Sequence, residues 1–139
     1  MSSRQQKRAG ERAQDKIEAR PKVYLPVPEE FLDLMGDPWR GVQNSRVIEM
    51  DLPAILMYTL RQAPVKTGGD SIRTLECYQI LKDTPDGVIS MPKDDWDWMI
   101  SHFKEMAHQV WKAPDAAYLT RWLEISVRLT PVEPAEQQT

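Results

Sequence analysis

The segment from Asp86 to Trp111 constrains the fold more than any other part of the chain. Its large apolar side chains recur with helical spacing, at Trp96, Met99, Ile100, Phe103, Met106, Ala107, Val110 and Trp111. Such a stripe predicts an amphipathic helix that packs against a core. Ser90 can cap the helix, Pro92 is tolerated in its first turn, and Pro114 ends it. We therefore expect a helix from about 92 to 112.

Caps and apolar spacing predict further helices. We expect them over 52–62 behind Asp51, from Asp70 or Ser71 to residue 82, from Asp115 to about residue 129, and a short one over 29–35. Short connections between helices are typical of a small bundle. The predicted fold is therefore mainly α, with about four helices, an extended N-terminal arm and at most a two-stranded β ribbon. That ribbon would pair residues 46–50 with 87–90.

Composition and charge divide the chain into three regions. Residues 1–22 are polar and carry a net charge of +4, whereas the remainder carries −7. The next segment, Val-Tyr-Leu-Pro-Val-Pro, is expected to be extended, because its two prolines oppose a central strand. We predict a basic arm over 1–28, flexible or ordered on a partner, a helical domain over 29–130 and a flexible tail over 131–139.

The chain offers few groups for catalysis or metal binding. Cys77 is the only cysteine, so no intramolecular disulfide can form. His102 and His108 are the only histidines, and their spacing directs them to different faces of a helix, where we expect surface or rim positions. A zinc site needs three or four converging ligands. We therefore predict a protein that is not an enzyme and has no catalytic residue, metal or cofactor.

Three aspartates open the long helix. Asp94, Asp95 and Asp97 could hold a divalent ion, but the positive end of the helix dipole explains all three. An acidic face at Asp94–Asp97 also allows a small inhibitor of a host protein that mimics the charge of a polyanion.

Candidate contact residues are aromatic or basic. Trp98 follows Trp96 by two residues, about 200° around the helix, so both cannot face one core. Trp39 is expected in a turn after Pro38, and an exposed tryptophan often marks a contact surface. The alternative for Trp98 is packing under the 37–46 loop or the proline segment. The predicted partner-binding residues are Arg4, Lys7, Arg8, Arg12, Tyr24, Trp39 and Trp98.

The basic arm is open to three interpretations. It can be a solubilising tail, a segment that docks on a protein, or a regulator's contact with nucleic-acid phosphates over residues 1–22. It lacks aromatic residues for base stacking, and the acidic body opposes binding to a polyanion. Docking on a protein partner is the hypothesis we carry forward, with nucleic-acid binding as the alternative.

The layout of residues 46 to 129 resembles a class of small helical proteins encoded by tailed bacteriophages. In that class a phrase of Asp-Gly and alternating apolar residues follows the second helix and precedes an acidic helix. Here the phrase is Asp86-Gly87-Val88-Ile89-Ser90-Met91, followed by Asp94-Asp95. The resemblance implies protein–protein contact during virion assembly or host takeover, and it implies no catalytic residues.

Partner and location follow from these patterns. Residues 2–20 contain no apolar core of a signal peptide, and no run of about 18 apolar residues exists to span a membrane. We expect a cytoplasmic protein, in the host cytoplasm or the virion if phage-encoded, that does not contact membranes. The leading hypothesis is a bacteriophage structural, assembly or accessory protein that binds a protein partner or a neighbouring subunit, and a homo-oligomer is compatible with it.

Overall fold

The computed structural model describes residues 21–84 and 87–131, which form four α-helices and two small antiparallel sheets. In chain order the elements are β1 Lys22–Pro26, β2 Arg40–Gln43, β3 Arg46–Glu49, α1 Leu52–Gln62, α2 Gly68–Lys82, β4 Val88–Pro92, α3 Lys93–Met106, a 3₁₀ turn Ala107–Gln109, and α4 Ala113–Ser126. The mainly helical prediction is confirmed. The β part is larger than the single ribbon expected.

Two helices begin at or near the positions that their caps predict. The Asp51 carboxylate accepts a hydrogen bond from the amide of Ala54 at 2.9 Å, which confirms the cap of α1. For α2 the cap is Thr67 rather than Asp70 or Ser71, because the Thr67 hydroxyl accepts from the Asp70 amide at 3.1 Å. The two glycines after Thr67 lie in the first turn, where helix propensity matters least.

The predicted helix over 92–112 is divided between three elements. Val88–Pro92 is strand β4, whose Ile89 and Met91 side chains point inward and are 1% and 0% exposed. Ser90 lies opposite Tyr24 in the sheet and caps nothing, so its predicted role is wrong. The helix α3 starts only at Lys93 and passes into a 3₁₀ turn after Met106.

The predicted ribbon between 46–50 and 87–90 is wrong, because each segment pairs with another strand. β3 pairs with β2 through a two-residue turn, and β4 pairs with β1 in the register Tyr24 to Ser90. Residue 128 joins the other edge of β1, where Tyr24 and Arg128 exchange backbone hydrogen bonds of 2.8 and 2.7 Å. These bonds draw the chain into an extended path, so α4 ends at Ser126 rather than near residue 129.

The described part of the predicted arm lies in the folded body. Val23 and Leu25 are 2% and 0% exposed, and both belong to the main apolar cluster. The helix expected over 29–35 is absent from this described segment. The carboxylate of Asp33 instead accepts hydrogen bonds from the amides of Met35 and Asp37, and Gly36 has a φ of +82°. That turn leads the chain into β2.

The core joins an aliphatic cluster to a line of aromatic rings. The aliphatic part brings together inward residues of β1, β4 and all four helices. The ring centroids of Trp39 lie 5.7 Å from Phe31 and 5.3 Å from Trp111. The Trp111 indole donates a hydrogen bond of 2.8 Å to the Thr59 hydroxyl of α1. Within residues 21–84 and 87–131, no helix combines the length and hydropathy needed to cross a membrane.

Candidate functional site

The structure places the predicted contact residues in separate environments. Arg4, Lys7, Arg8 and Arg12 lie outside the described residues. Trp39 is 2% exposed and packs edge-on against Trp111, so the expectation of an exposed Trp39 is wrong. Trp39 is a core residue because the segment before β2 brings its ring between those of Phe31 and Trp111. Tyr24 is half-buried on the sheet face opposite Val23 and Leu25.

Trp98 is half-buried, and its ring stacks on His102 with centroids 4.9 Å apart and planes at 14°. It lines a small cavity with the segment 64–70, rather than packing under the 37–46 loop or the proline segment. An ion pair between Lys66 and Glu105 lies at the same cavity. The sequence correctly separated Trp98 from the stripe of Trp96, which is 4% exposed.

Basic side chains of the protein itself pair with acidic residues at the start of α3. Asp95 is buried, and its carboxylate lies 3.1 Å from the Arg73 guanidinium of α2. Asp97 pairs with Lys93 at 2.7 Å. The three aspartates therefore do not form one free acidic face. This arrangement counts against an inhibitor that imitates a polyanion.

Burial disfavours the charged forms of the Cys77 thiol and the His102 imidazole. Burial raises the pKa of the Cys77 thiol to about 12, so the thiolate needed for nucleophilic attack is scarce near neutral pH. His102 is 9% exposed, so the expectation of a surface or rim position is wrong for this histidine. Burial lowers the pKa of His102, while Asp70 and Glu105 act in the opposite sense. No set of three or more His, Cys, Asp or Glu side chains converges on a metal-sized site within the described ranges.

A groove lies between the β2–β3 hairpin and helix α1, with one side chain from α2. It encloses about 340 Å³, and we call it the hairpin groove. Its apolar and aromatic lining consists of Val42, Ile48, Met50, Ala54, Met57, Tyr58 and Tyr78. Its polar lining consists of the exposed side chains Gln43, Asn44, Arg61 and Gln62. The groove therefore has an apolar floor and a polar rim.

The hairpin is held over α1 by local backbone geometry. Asn44 and Ser45 have φ values of 52° and 64°, as the two central residues of a type I′ turn require. A Cβ atom at Gly41 would lie 2.5 Å from the Met50 sulfur and 3.5 Å from the Trp111 ring. A side chain at position 41 would require the end of the Met50 side chain to move, so glycine favours the close approach of the strand to the core, and this approach positions Val42 at the groove.

Val42 lines the groove and is paired on the hairpin with a second exposed valine, Val47, which does not line it. Val42 and Val47 are paired across the strands, and they are 56% and 69% exposed. Paired residues of an antiparallel sheet direct their side chains to the same face. Exposed apolar side chains next to a concave apolar site mark a surface that can bind a partner.

The sequence alone did not predict this site, although the spacing of residues along α1 indicates part of its lining. Ala54, Met57, Tyr58 and Arg61 recur with helical spacing on a face distinct from the core stripe of Leu52, Ile55, Leu56 and Thr59. A second semi-apolar stripe on one helix could have indicated a second contact surface. Nothing local indicated that β2 and β3 would border it.

A second groove adjoins the hairpin groove along α1. It encloses about 500 Å³, and Ala54 and Met57 line both grooves. Its lining is more polar and includes Glu29, Asp51 and Lys82. We regard the hairpin groove as the better candidate, because its lining is mainly apolar and continuous with the exposed valines.

Comparison with known proteins does not identify a relative that could explain this groove. No protein family, curated protein or solved structure matches the chain. The resemblance to small phage proteins stays a prediction, and a functional proposal must come from the site itself.

Proposed function

We propose that the protein is a non-enzymatic protein–protein interaction factor and that the hairpin groove is its contact surface. The observation that carries this proposal is the exposed Val42–Val47 pair beside an apolar groove. Burying such a surface against a partner is favourable by about 25 cal/mol per Å² of apolar area.

The chemistry of the groove supports binding rather than catalysis. Among the residues that the structure describes, its lining contains no histidine, cysteine or carboxylate, and its single charged side chain is Arg61. Met50 and Met57 are flexible, polarizable side chains that adapt to the shape of a bound group. An apolar floor with a polar rim is the anatomy of a small protein interface.

The resemblance to tailed-bacteriophage proteins suggests the biological context of the proposed interaction. We place the protein among bacteriophage structural, assembly or accessory factors, acting in the host cytoplasm or the virion. The basic segment with Arg4, Lys7, Arg8 and Arg12 would add attraction for an acidic partner surface. Trp39 is no longer part of the proposed contact surface, because it is buried.

Site-specific photocrosslinking tests this proposal. A photoreactive amino acid at position 42 should give a discrete adduct with one protein in extract of the producing cell, and Met57→Gln in the same chain should remove it. The matched control is position 125, where Ile125 is 69% exposed on α4 and outside the groove. The same adducts from both positions, or an adduct at position 42 that persists in Met57→Gln, would refute a role for the groove.

A further inference from the structure

The hairpin groove has a local charge opposite to that of the body. Arg61 lies in its lining and Arg46 on the adjoining strand β3, whereas Arg40 of β2 lies opposite Glu49 in the hairpin. None of these three guanidinium groups has an ion-pair partner within residues 21–84 and 87–131, where the ion pairs involve other cations. The chain as a whole carries a net charge of −3. An exposed arginine without an ion-pair partner in an apolar site favours a carboxylate on the ligand.

The remaining polar groups of the rim suit a peptide backbone. Gln43, Asn44 and Gln62 carry carboxamide groups, each of which can both donate and accept a hydrogen bond. An extended main chain presents donors and acceptors alternately, so carboxamides can pair with either. None of these three side chains has a hydrogen bond to another described residue that would have to be broken first.

The size of the groove sets the length of what it can hold. Its volume of about 340 Å³ is at the lower end of the range for small-molecule sites, about 300–1,000 Å³. Such a site accommodates one or two large side chains and a short stretch of backbone rather than a folded domain. Tyr58 and Tyr78 offer aromatic faces, and Met57 offers an adaptable wall, for an aliphatic or aromatic anchor.

We propose that the hairpin groove binds an extended peptide segment of a partner protein in which an apolar anchor side chain is followed within two residues by a carboxylate that pairs with Arg61. This inference rests on the proposed function and adds the chemistry of the partner. The anchor would fill the space between Ile48 and Tyr58, and the carboxylate would lie at the rim.

Panning a random peptide library against the full-length protein tests the inference. We expect enriched peptides to contain a large apolar residue with Asp or Glu one or two positions later. A labelled enriched peptide should bind Arg61→Gln about five- to tenfold more weakly by fluorescence polarisation. Replacing the peptide's carboxylate with its amide should cost about the same in the wild type and almost nothing more in Arg61→Gln. Arg121→Gln is the matched control, because Arg121 is an exposed arginine of α4 outside the groove.

The outcomes separate this inference from the broader proposal. Enriched peptides that lack a carboxylate and bind Arg61→Gln normally, yet lose binding in Val42→Gln and Met57→Gln, would overturn the inference and leave the interaction site standing. Peptides unaffected by either groove variant, or no enrichment at all, would overturn both. A light-scattering mass of a dimer, lost in Val42→Gln, would show that a second copy occupies the groove and would also overturn the inference. Circular dichroism of each variant confirms that it is folded.

Discussion

Replacing Trp39 with alanine should sharply destabilise the protein, because its indole ring joins the β2 strand to the aromatic core. The ring is 2% exposed and lies 5.7 Å from Phe31 and 5.3 Å from Trp111, measured between ring centroids. Removing a buried tryptophan costs about 3–5 kcal/mol, the sum of lost apolar burial and of the cavity left behind. Trp111 cannot move freely into the cavity, since its indole hydrogen bond ties it to Thr59.

The size of the effect can be read from thermal unfolding. In a domain of about 110 residues, 1 kcal/mol corresponds to roughly 4 °C, so Trp39→Ala should lower Tm by about 12–20 °C. Trp39→Phe keeps a ring between Phe31 and Trp111 and should cost less than half as much. Far-UV circular dichroism is the appropriate probe, because the substitution itself alters tryptophan fluorescence.

A matched exposed site shows whether the effect is specific. Ile125→Ala removes a side chain that is 69% exposed and should change stability by no more than about 0.5 kcal/mol. If Trp39→Ala melts within about 3 °C of the wild type, the ring is not a core residue. The reasoning about the aromatic cluster, and the position of the hairpin over α1, would then be refuted.

Three further predictions address other parts of the fold. Leu25→Ala should lower the free energy of unfolding, measured in urea, by about 2–5 kcal/mol, because Leu25 is fully buried in β1. A loss below about 0.5 kcal/mol would show that this segment belongs to the predicted arm and not to the core. Asp95→Asn should cost about 2–4 kcal/mol, since it leaves the Arg73 guanidinium near a neutral group, whereas Asp97→Asn breaks an exposed pair and should cost no more than about 1 kcal/mol. Equal losses in the two variants would contradict the burial of the first pair. For His102 the folded pKa is lowered by burial, so the unfolded state takes up a proton first and stability should fall as pH decreases below about 6.5. Urea midpoints between pH 5 and 8 should show a dependence that His102→Gln weakens and the exposed-site variant His108→Gln retains; the same slope in both variants would assign it to other groups.

Local sequence was enough to identify the four helices, although it also predicted a short helix over 29–35 that this described segment does not form. The Asp51 cap and the apolar spacing behind it located α1 at its observed bounds, 52–62. The second and fourth helices were located to within a few residues, and the apolar stripe of the third was correct from Trp96 onward. Caps and helical periodicity act over fewer than ten residues, so both can be recognised without knowing the rest of the fold.

The errors at the start of α3, in the predicted ribbon and at the end of α4 share a physical cause, which is pairing between segments distant in the chain. Val88–Pro92 alternates apolar and other residues like a strand, but only β1 as a partner satisfies its backbone and excludes a helical start at Ser90. The prolines of residues 23–28 argue against a central strand, yet residues 22–26 form β1. Pro26 lies at the end of β1, opposite Val88, where the strand tolerates its missing amide.

The candidate site divides in the same way. The face of α1 with Met57, Tyr58 and Arg61 can be predicted from the sequence, because helical spacing alone brings these side chains together. The groove cannot be predicted in this way, since its other wall is the β2–β3 hairpin. The position of that hairpin depends on the turn at Asn44 and Ser45 and on the close approach at Gly41.

Residue type and short-range spacing were sufficient to predict the helical class, the Asp51 cap, the polar N-terminal segment and a scarcity of reactive groups. They did not give the starts of α3 and α4, which begin after Pro92 and Lys112 rather than at Ser90 and Asp115. Only the tertiary structure decided which aromatic residues are buried, which strands pair and where an apolar surface stays exposed. Burial and strand pairing are long-range properties: Trp39 is a core residue because Trp111, far along the chain, packs against it. The same long-range packing leaves Val42 and Val47 in solvent beside an apolar groove, where we expect a partner to bind.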